Sequence, residues 1–319
     1  MKQLIRTTAI ASLISLSIAG QLQAASKQTV TFQSNGQTLV GDLYLPDDYA
    51  SGQKLPSIIV SGSWTSVKEQ MAGAYAEKIA DKGYAALAFD FRGWGESAQG
   101  TPQSLTFVED PYEKTQDILA AAEFLQSRPE VNEHQLATLG ICASAGYAID
   151  AAHLSPEISS VAVVAPWLHD SDIVDQVYGD NVPLLLSATA NAKAQDAPVI
   201  LEAASDTNQN AVMYQASYYT DPSRGAINEY DNKFSTLSWE PWLTYDAIQT
   251  ASSLNDPLLM VHSEAAAIPQ GAKKFAQNAG DNVSLVMLEN VTQFDFYDEP
   301  EAMQTAIDKL HVHFQSSFK

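Results

Sequence analysis

The sequence predicts an α/β protein built on a mostly parallel sheet with helices on both faces. Three observations predict it. Short apolar runs alternate with helical spacings through residues 57–165 and again through 257–314, the order left by parallel strands and their crossover helices. The strand-to-helix junction at 139–146 packs small residues around a cysteine. Between the alternating stretches, residues 167–254 lose the pattern and gather aromatic side chains. A structureless loop of that length is improbable in a compact domain, so an inserted unit is expected there.

Taken in order, the first residues belong to no element of the fold. Lys2 and Arg6 precede an apolar run at 7–20, and Leu22-Gln23-Ala24 ends it on a small residue. That is the plan of a secretory signal, and the run is short of the ~20 residues that a membrane span needs. Cleavage after Ala24, no membrane span and a periplasmic or secreted mature chain are therefore expected. Residues 30–33 and 37–44 read as a hairpin around Ser34-Asn35-Gly36, an Asn-Gly turn signal. Strands follow at 57–60, 84–89, 135–139 and 160–165. Helices fill the gaps at 70–82, where Met71, Tyr75 and Ile79 share a side, at 113–127 and at 143–152. The last stretch reads as strand 257–262, helix 270–278, strand 284–288 and helix 301–314.

The domain reading is thus a core of 25–166 and 255–319, with 167–254 as a mainly helical cap. Tyr178, Tyr214, Tyr218, Tyr219, Tyr230, Phe234, Trp239, Trp242 and Tyr245 crowd that cap. The net charge of −21 disfavours nucleic acid and anionic lipid as partners, and a neutral or apolar small molecule is the expected one. Charge and composition leave the oligomeric state open.

Cys142 is the single cysteine, so no internal disulfide can form, and its position at the junction argues for chemistry. Gly140-Ile141-Cys142-Ala143-Ser144 has the spacing of a nucleophile elbow, Gly-x-nucleophile-x-Gly, with Ser144 at the second glycine. Small flanks are needed because the nucleophile sits on a sharp turn against neighbouring strands. A helix starting at Ala143 aims its first amides at the sulfur, which is expected to lower the thiol pKa. The Ala143 amide is the first expected oxyanion donor.

Together with Lys68-Glu69-Gln70, Asp90-Phe91-Arg92-Gly93-Trp94-Gly95-Glu96-Ser97 and Ala165-Pro166-Trp167-Leu168, this elbow resembles bacterial α/β hydrolases of the dienelactone-hydrolase-like branch, which includes X-Pro-dipeptidyl-peptidase-like proteins. The resemblance covers nearly the whole mature chain. It implies the α/β-hydrolase fold with an eight-stranded sheet, a nucleophile–histidine–acid triad, and hydrolysis of an ester, thioester or amide. It also implies an oxyanion loop at Ser61-Gly62-Ser63-Trp64-Thr65, where Ser63 or Trp64 supplies the second amide. Asp90 and Arg92 are expected to form a structural ion pair with each other.

The resemblance places the catalytic histidine in a segment His-x-Asp-Leu-Tyr-Asp. The matching residues are Gln293-Phe294-Asp295-Phe296-Tyr297-Asp298. Gln293 donates and accepts hydrogen bonds but takes up no proton. Of the six histidines, His169 and His262 end strands on the edge where sites form. His134, His153, His311 and His313 read as structural or surface groups. Glu264 is the expected triad acid, with Asp170 and Asp172 as alternatives. His311-x-His313 is not spaced for a metal on a helix, and no phosphate-cradling loop or full dinucleotide fingerprint occurs, so no metal and no cofactor are expected.

Two main readings remain open. In one, an exported acyl hydrolase or acyltransferase works through Cys142 with Gln293 in the histidine position. In the other, a catalytically weak or inactive hydrolase scaffold binds a small apolar ligand. A third, a lone redox-active thiol, rests only on the singleness of Cys142.

Overall fold

A computed structural model describes residues 26–318. The expected signal segment therefore lies outside the described residues. The chain opens with the hairpin β1 (Ser26–Ser34) and β2 (Gln37–Leu45), turning at Asn35 and Gly36, both at positive φ. Then follow β3 (Leu55–Ser61), α1 (Met71–Ala80), β4 (Ala85–Phe89), α2 (Pro111–Gln126), β5 (Val131–Ile141), α3 (Ser144–Leu154) and β6 (Ser160–Val164).

The eight-stranded sheet runs β1-β2-β4-β3-β5-β6-β11-β12, where β11 is Leu258–Ser263 and β12 is Val283–Leu288. Within this sheet β1–β2 and β2–β4 pair antiparallel and the other neighbours parallel. The central strands β4 and β6 are buried at every residue, as expected for parallel strands covered on both faces. Met71, Tyr75 and Ile79 are buried along α1, and Ile118, Ala121, Ala122 and Leu125 along α2. These are the faces that the apolar spacing predicts. Among the described residues, no helix is long and apolar enough to cross a membrane.

The stretch between β6 and β11 is less helical than expected. It carries α4 (Ser171–Tyr178), α5 (Val182–Gln195), the short α6 (Ser217–Thr220) and α7 (Trp239–Thr244). It also carries β7 (Ile200–Glu202), β8 (Ala204–Ser205), β9 (Met213–Tyr214) and β10 (Lys233–Ser235), paired as β7–β10 and β8–β9. These strands are two or three residues long, too short for a period of two to register in the sequence. After β11 come α8 (Pro269–Asn278), β12, α9 (Asp295–Asp298) and α10 (Pro300–Ser317).

The ion pair expected between Asp90 and Arg92 is not formed. Asp90 pairs with buried Lys68 at 3.2 Å, and Arg92 pairs with Asp117 at 2.7 Å. The two residues still brace the turn after β4, each through a different partner.

Candidate active site

Cys142 ends the run from β5 into α3 with φ +61°, the left-handed region that a side chain rarely adopts. The turn is pinned by Cys142 N–H donating to Val164 O at 3.0 Å and Trp167 N–H donating to Cys142 O at 2.9 Å. Gly140 is obligatory: a Cβ there would sit 2.5 Å from Ser144 O and 2.7 Å from Ala145 Cα. At the second small position the hydroxyl is put to use. Ser144 Oγ accepts from Ile141 N–H at 2.9 Å and donates to Ser61 O at 2.8 Å, tying the elbow to the end of β3.

The loop that follows β3, residues 62–65, is anchored from below and above. Thr65, at φ +61°, donates its amide to the buried carboxylate of Glu109 at 3.2 Å. Glu109 also takes Lys114 Nζ at 2.8 Å and the Tyr147 hydroxyl at 3.0 Å. From the stretch between β6 and β11, the Tyr230 hydroxyl bonds the Thr65 hydroxyl at 2.9 Å, and Tyr219 bonds Ser63. Trp64 stacks on Trp242 with centroids 5.0 Å apart and meets Phe234 edge-on at 4.9 Å.

Trp64, Ala143, Gln293 and Tyr297 line one cavity with Cys142, and hydrogen bonding from the Tyr297 hydroxyl, the Ala143 and Trp64 amides and the Gln293 side chain favours its thiolate. Of the two expected partners for Ala143, Trp64 lines the cavity beside Cys142. The helix N-terminus does not set the thiol's acidity. Burial pushes the Cys142 thiol up, outweighing all four donors, so the expected lowering is corrected.

Gln293 is held at both ends. Its Oε1 accepts from Ala267 N–H at 3.0 Å, and its Nε2 donates to Ala165 O at 2.9 Å and to the Tyr297 hydroxyl at 3.0 Å. Tyr297 lies four residues after Gln293, one helical turn, and so comes to the same side. Burial raises its hydroxyl pKa well above the ordinary value, followed by the nearby Cys142 and Tyr219. Tyr297 was not singled out in the sequence; that spacing was the available signal.

The other expected site residues lie elsewhere. Glu264 is 64% exposed in its side chain and pairs with Lys273 at 2.5 Å, so it does not hold Gln293. Asp170 caps α4 by accepting from Ile173 N–H at 3.1 Å and pairs with Lys274, which also takes exposed Asp172 at 3.0 Å. His169 accepts from Trp167 Nε1–H at 3.0 Å and donates from Nε2 to Trp242 O at 2.9 Å. His262 faces Ala267 O from Nε2 at 3.2 Å. Burial pushes both imidazoles down to about 4, so both are neutral at pH 7. Each braces backbone, which is why a strand-end position alone misdirects.

Above the sulfur lies a cavity of about 360 Å³ lined chiefly by Trp64, Trp167, Tyr178, Met213, Tyr219 and Trp242, together with Gln293, Phe294 and Tyr297. No histidine and no charged side chain lines it among the described residues. Val177 and Tyr214, 40% and 42% exposed, mark its outer edge. Arg224 ties the stretch between β6 and β11 to the loop and helix before α10, gripping both Asp298 oxygens at 2.6 Å and Phe294 O at 3.1 Å. Among the described residues no group of three or more His, Cys, Asp or Glu is placed to hold a metal ion.

Comparison with known proteins adds family and fold. The model of the dienelactone hydrolase family matches residues 41–253. Protein PA2218 of Pseudomonas aeruginosa is 29% identical over 288 residues, spanning 84% of this chain and 75% of its own. Its crystal structure superposes with a TM-score of 0.78 at 22% identity, covering 98% and 100% of the two chains. Protein YcjY of Escherichia coli is 27% identical over 294 residues, 86% of this chain and 93% of its own. The α/β hydrolase GrgF of a Penicillium species superposes with a TM-score of 0.75 at 18% identity, covering 92% and 99%. In sequence GrgF, there called a polyketide transferase, is 26% identical over 134 residues, 42% of each chain.

Proposed function

The chain belongs to the dienelactone hydrolase family, and from that premise we propose that it takes an apolar acyl group onto Cys142 from a thioester or an activated ester and gives it up slowly to water. One observation carries this reading: Trp64 and Ala143, whose amides an acyl-enzyme needs, line the cavity with Cys142, while among the described residues no histidine and no charged side chain lines it. The Trp64 and Ala143 amides hold the oxyanion of the tetrahedral intermediate, where losing one such donor typically costs about 10²–10³ in rate. The Cys142 thiolate attacks the carbonyl carbon, and the leaving group departs with the electron pair of the broken bond. A thiolate or an activated alkoxide leaves without a proton from the enzyme, whereas an ordinary alkoxide needs an acid. Water attack needs a general base, worth about 10²–10⁴, and Gln293 takes no proton.

The uncharged aromatic cavity favours a neutral, apolar acyl group. The name polyketide transferase, given to GrgF, couples this scaffold with transfer as well as hydrolysis. Lys2, Arg6, the apolar run and Ala24 support export of the mature chain. Incubation with a thioester and an activated ester of one apolar acid should add a single acyl mass to the protein and none to Cys142→Ala. Absence of the adduct would overturn the reading.

A second reading, reversible ligand binding without chemistry, is favoured by the complete commitment of Gln293 to Ala267, Ala165 and Tyr297. It predicts an unmodified Cys142 and equal ligand affinity in Cys142→Ala.

A further inference from the structure

Resting on acylation of Cys142, we propose that the acceptor of the acyl group is a small neutral thiol, so that the site moves acyl groups from thiol to thiol. A water nucleophile must lose a proton to something in the cavity. The cavity offers Tyr178, Tyr219, Tyr297 and Gln293 around Cys142. Burial raises all three phenols, and they stay protonated. Gln293 Oε1 is already taken by the Ala267 amide. His169, His262 and Glu264 do not line the cavity; His169 Nε2 and His262 Nε2 bond Trp242 O and Ala267 O, and Glu264 pairs with Lys273.

A thiol needs no base from the protein, because a few per cent ionises unaided near neutral pH. The two steps balance without a protein-borne base. First, the Cys142 thiol gives its proton to solvent, the thiolate forms a C–S bond to the acyl carbon and the donor's C–S bond breaks, releasing a thiolate. Second, the acceptor thiolate forms its own C–S bond to that carbon and the Cys142 C–S bond breaks. Nothing is oxidised or reduced, and each released small thiolate takes its proton from solvent.

The geometry suits both steps equally. The Trp64 and Ala143 amides face the oxyanion in each tetrahedral intermediate, and Tyr297 and Gln293, bonded to each other, line the cavity beside the sulfur that is the nucleophile in the first step and the leaving group in the second. Uncharged walls and a net charge of −21 select against a polyanionic carrier and for a neutral thiol. The acceptor enters beside Val177 and Tyr214, the exposed edge of the cavity.

The test loads the full protein with the S-ethyl thioester of hexanoic acid, removes excess donor, and adds N-acetylcysteamine as a neutral thiol or mercaptosuccinate as an anionic one. Mass spectrometry follows loss of the acyl mass and formation of the new thioester. Free hexanoyl thioester at the same pH and thiolate concentration is the reference. The expected result is exchange onto N-acetylcysteamine ~10²-fold faster than on the free thioester, the scale of one oxyanion donor, with mercaptosuccinate slower. Release in buffer alone should match the free thioester. Hexanoic acid appearing as fast without thiol as with it, or exchange no faster than the reference, overturns the proposal while leaving Cys142 acylation intact. Failure to load at all overturns acylation and this proposal together.

Discussion

The Ala267 amide donates to Gln293 Oε1 at 3.0 Å, in the loop after β11 where a triad acid is expected. A carboxylate in that loop would accept from a histidine; here a backbone N–H donates to a glutamine. The two changes match each other, and Gln293 Nε2 then donates to Ala165 O and to the hydroxyl of Tyr297, which lines the cavity with Cys142.

That match predicts the outcome of Gln293→His. An imidazole in the same place must accept from the Ala267 amide at one nitrogen, which leaves the other protonated and facing Tyr297 and Cys142. This is the wrong tautomer for a base. Release of the acyl group to water should rise by less than about tenfold, far short of the ~10²–10⁴ of a working base. A larger gain, measured as acyl-enzyme half-life, would show that the Ala267 contact does not control the tautomer.

Burial pushes the Cys142 thiol above its ordinary value, and the thiolate is the attacking form. The acylation rate should therefore climb about tenfold per pH unit from about pH 6 to beyond about pH 9. Stopped-flow or mass-spectrometric rates across that range check it. A plateau beginning near neutrality would mean that the thiol is ionised there and that the donors outweigh burial.

Much of the fold was legible because its cues are local and repeated. The alternation around 84–89, 135–139 and 160–165 placed β4, β5 and β6 within a few residues, since fully buried strands leave uninterrupted apolar runs. Gly140 and Ser144 marked the elbow because backbone crowding there excludes larger side chains. The candidate site was legible only in part. The backbone amide of Trp64 carries no side-chain signature that separates it from Ser63. Glu264 lies in the expected loop but turns to Lys273 at the surface, a direction that spacing does not encode. Thiol acidity was misjudged for a related reason: the helix N-terminus is local, whereas burial depends on residues far along the chain, and Tyr219 and Trp242 close the same cavity.

Lys114 and Glu109 are both fully buried and pair at 2.8 Å while Glu109 holds the Thr65 amide. Lys114→Met strands the carboxylate and should destabilise the fold by ~3–5 kcal/mol. The pair Glu109→Gln with Lys114→Met removes both charges and should recover most of that loss. Urea unfolding of the three proteins checks this; a double variant as unstable as Lys114→Met would show that the ion pair itself, and not the stranded charge, holds the loop.

Burial raises the Asp150 carboxyl to about 6, against the opposing hydrogen bond that the Tyr245 hydroxyl donates at 2.7 Å. A folded value above the unfolded one means the stabilising contribution is complete below about pH 4 and is lost as pH rises through about 6. Asp150→Asn cannot ionise, so its stability relative to the parent should improve between about pH 4 and pH 8 by on the order of 2 kcal/mol. Denaturation at both pH values tests the sign; an unchanged difference would place the Asp150 titration outside that window.

The central claim is that the site can form an acyl-enzyme and lacks the means to hydrolyse it. Pre-steady-state release of the leaving group from an activated apolar ester, with no thiol present, tests it most directly. The account predicts a burst approaching one equivalent per Cys142, lost in Cys142→Ala, followed by a steady state at least ~10²-fold slower, the scale of a missing general base. Linear release with no burst and rapid turnover would contradict it, because deacylation would then be as efficient as acylation.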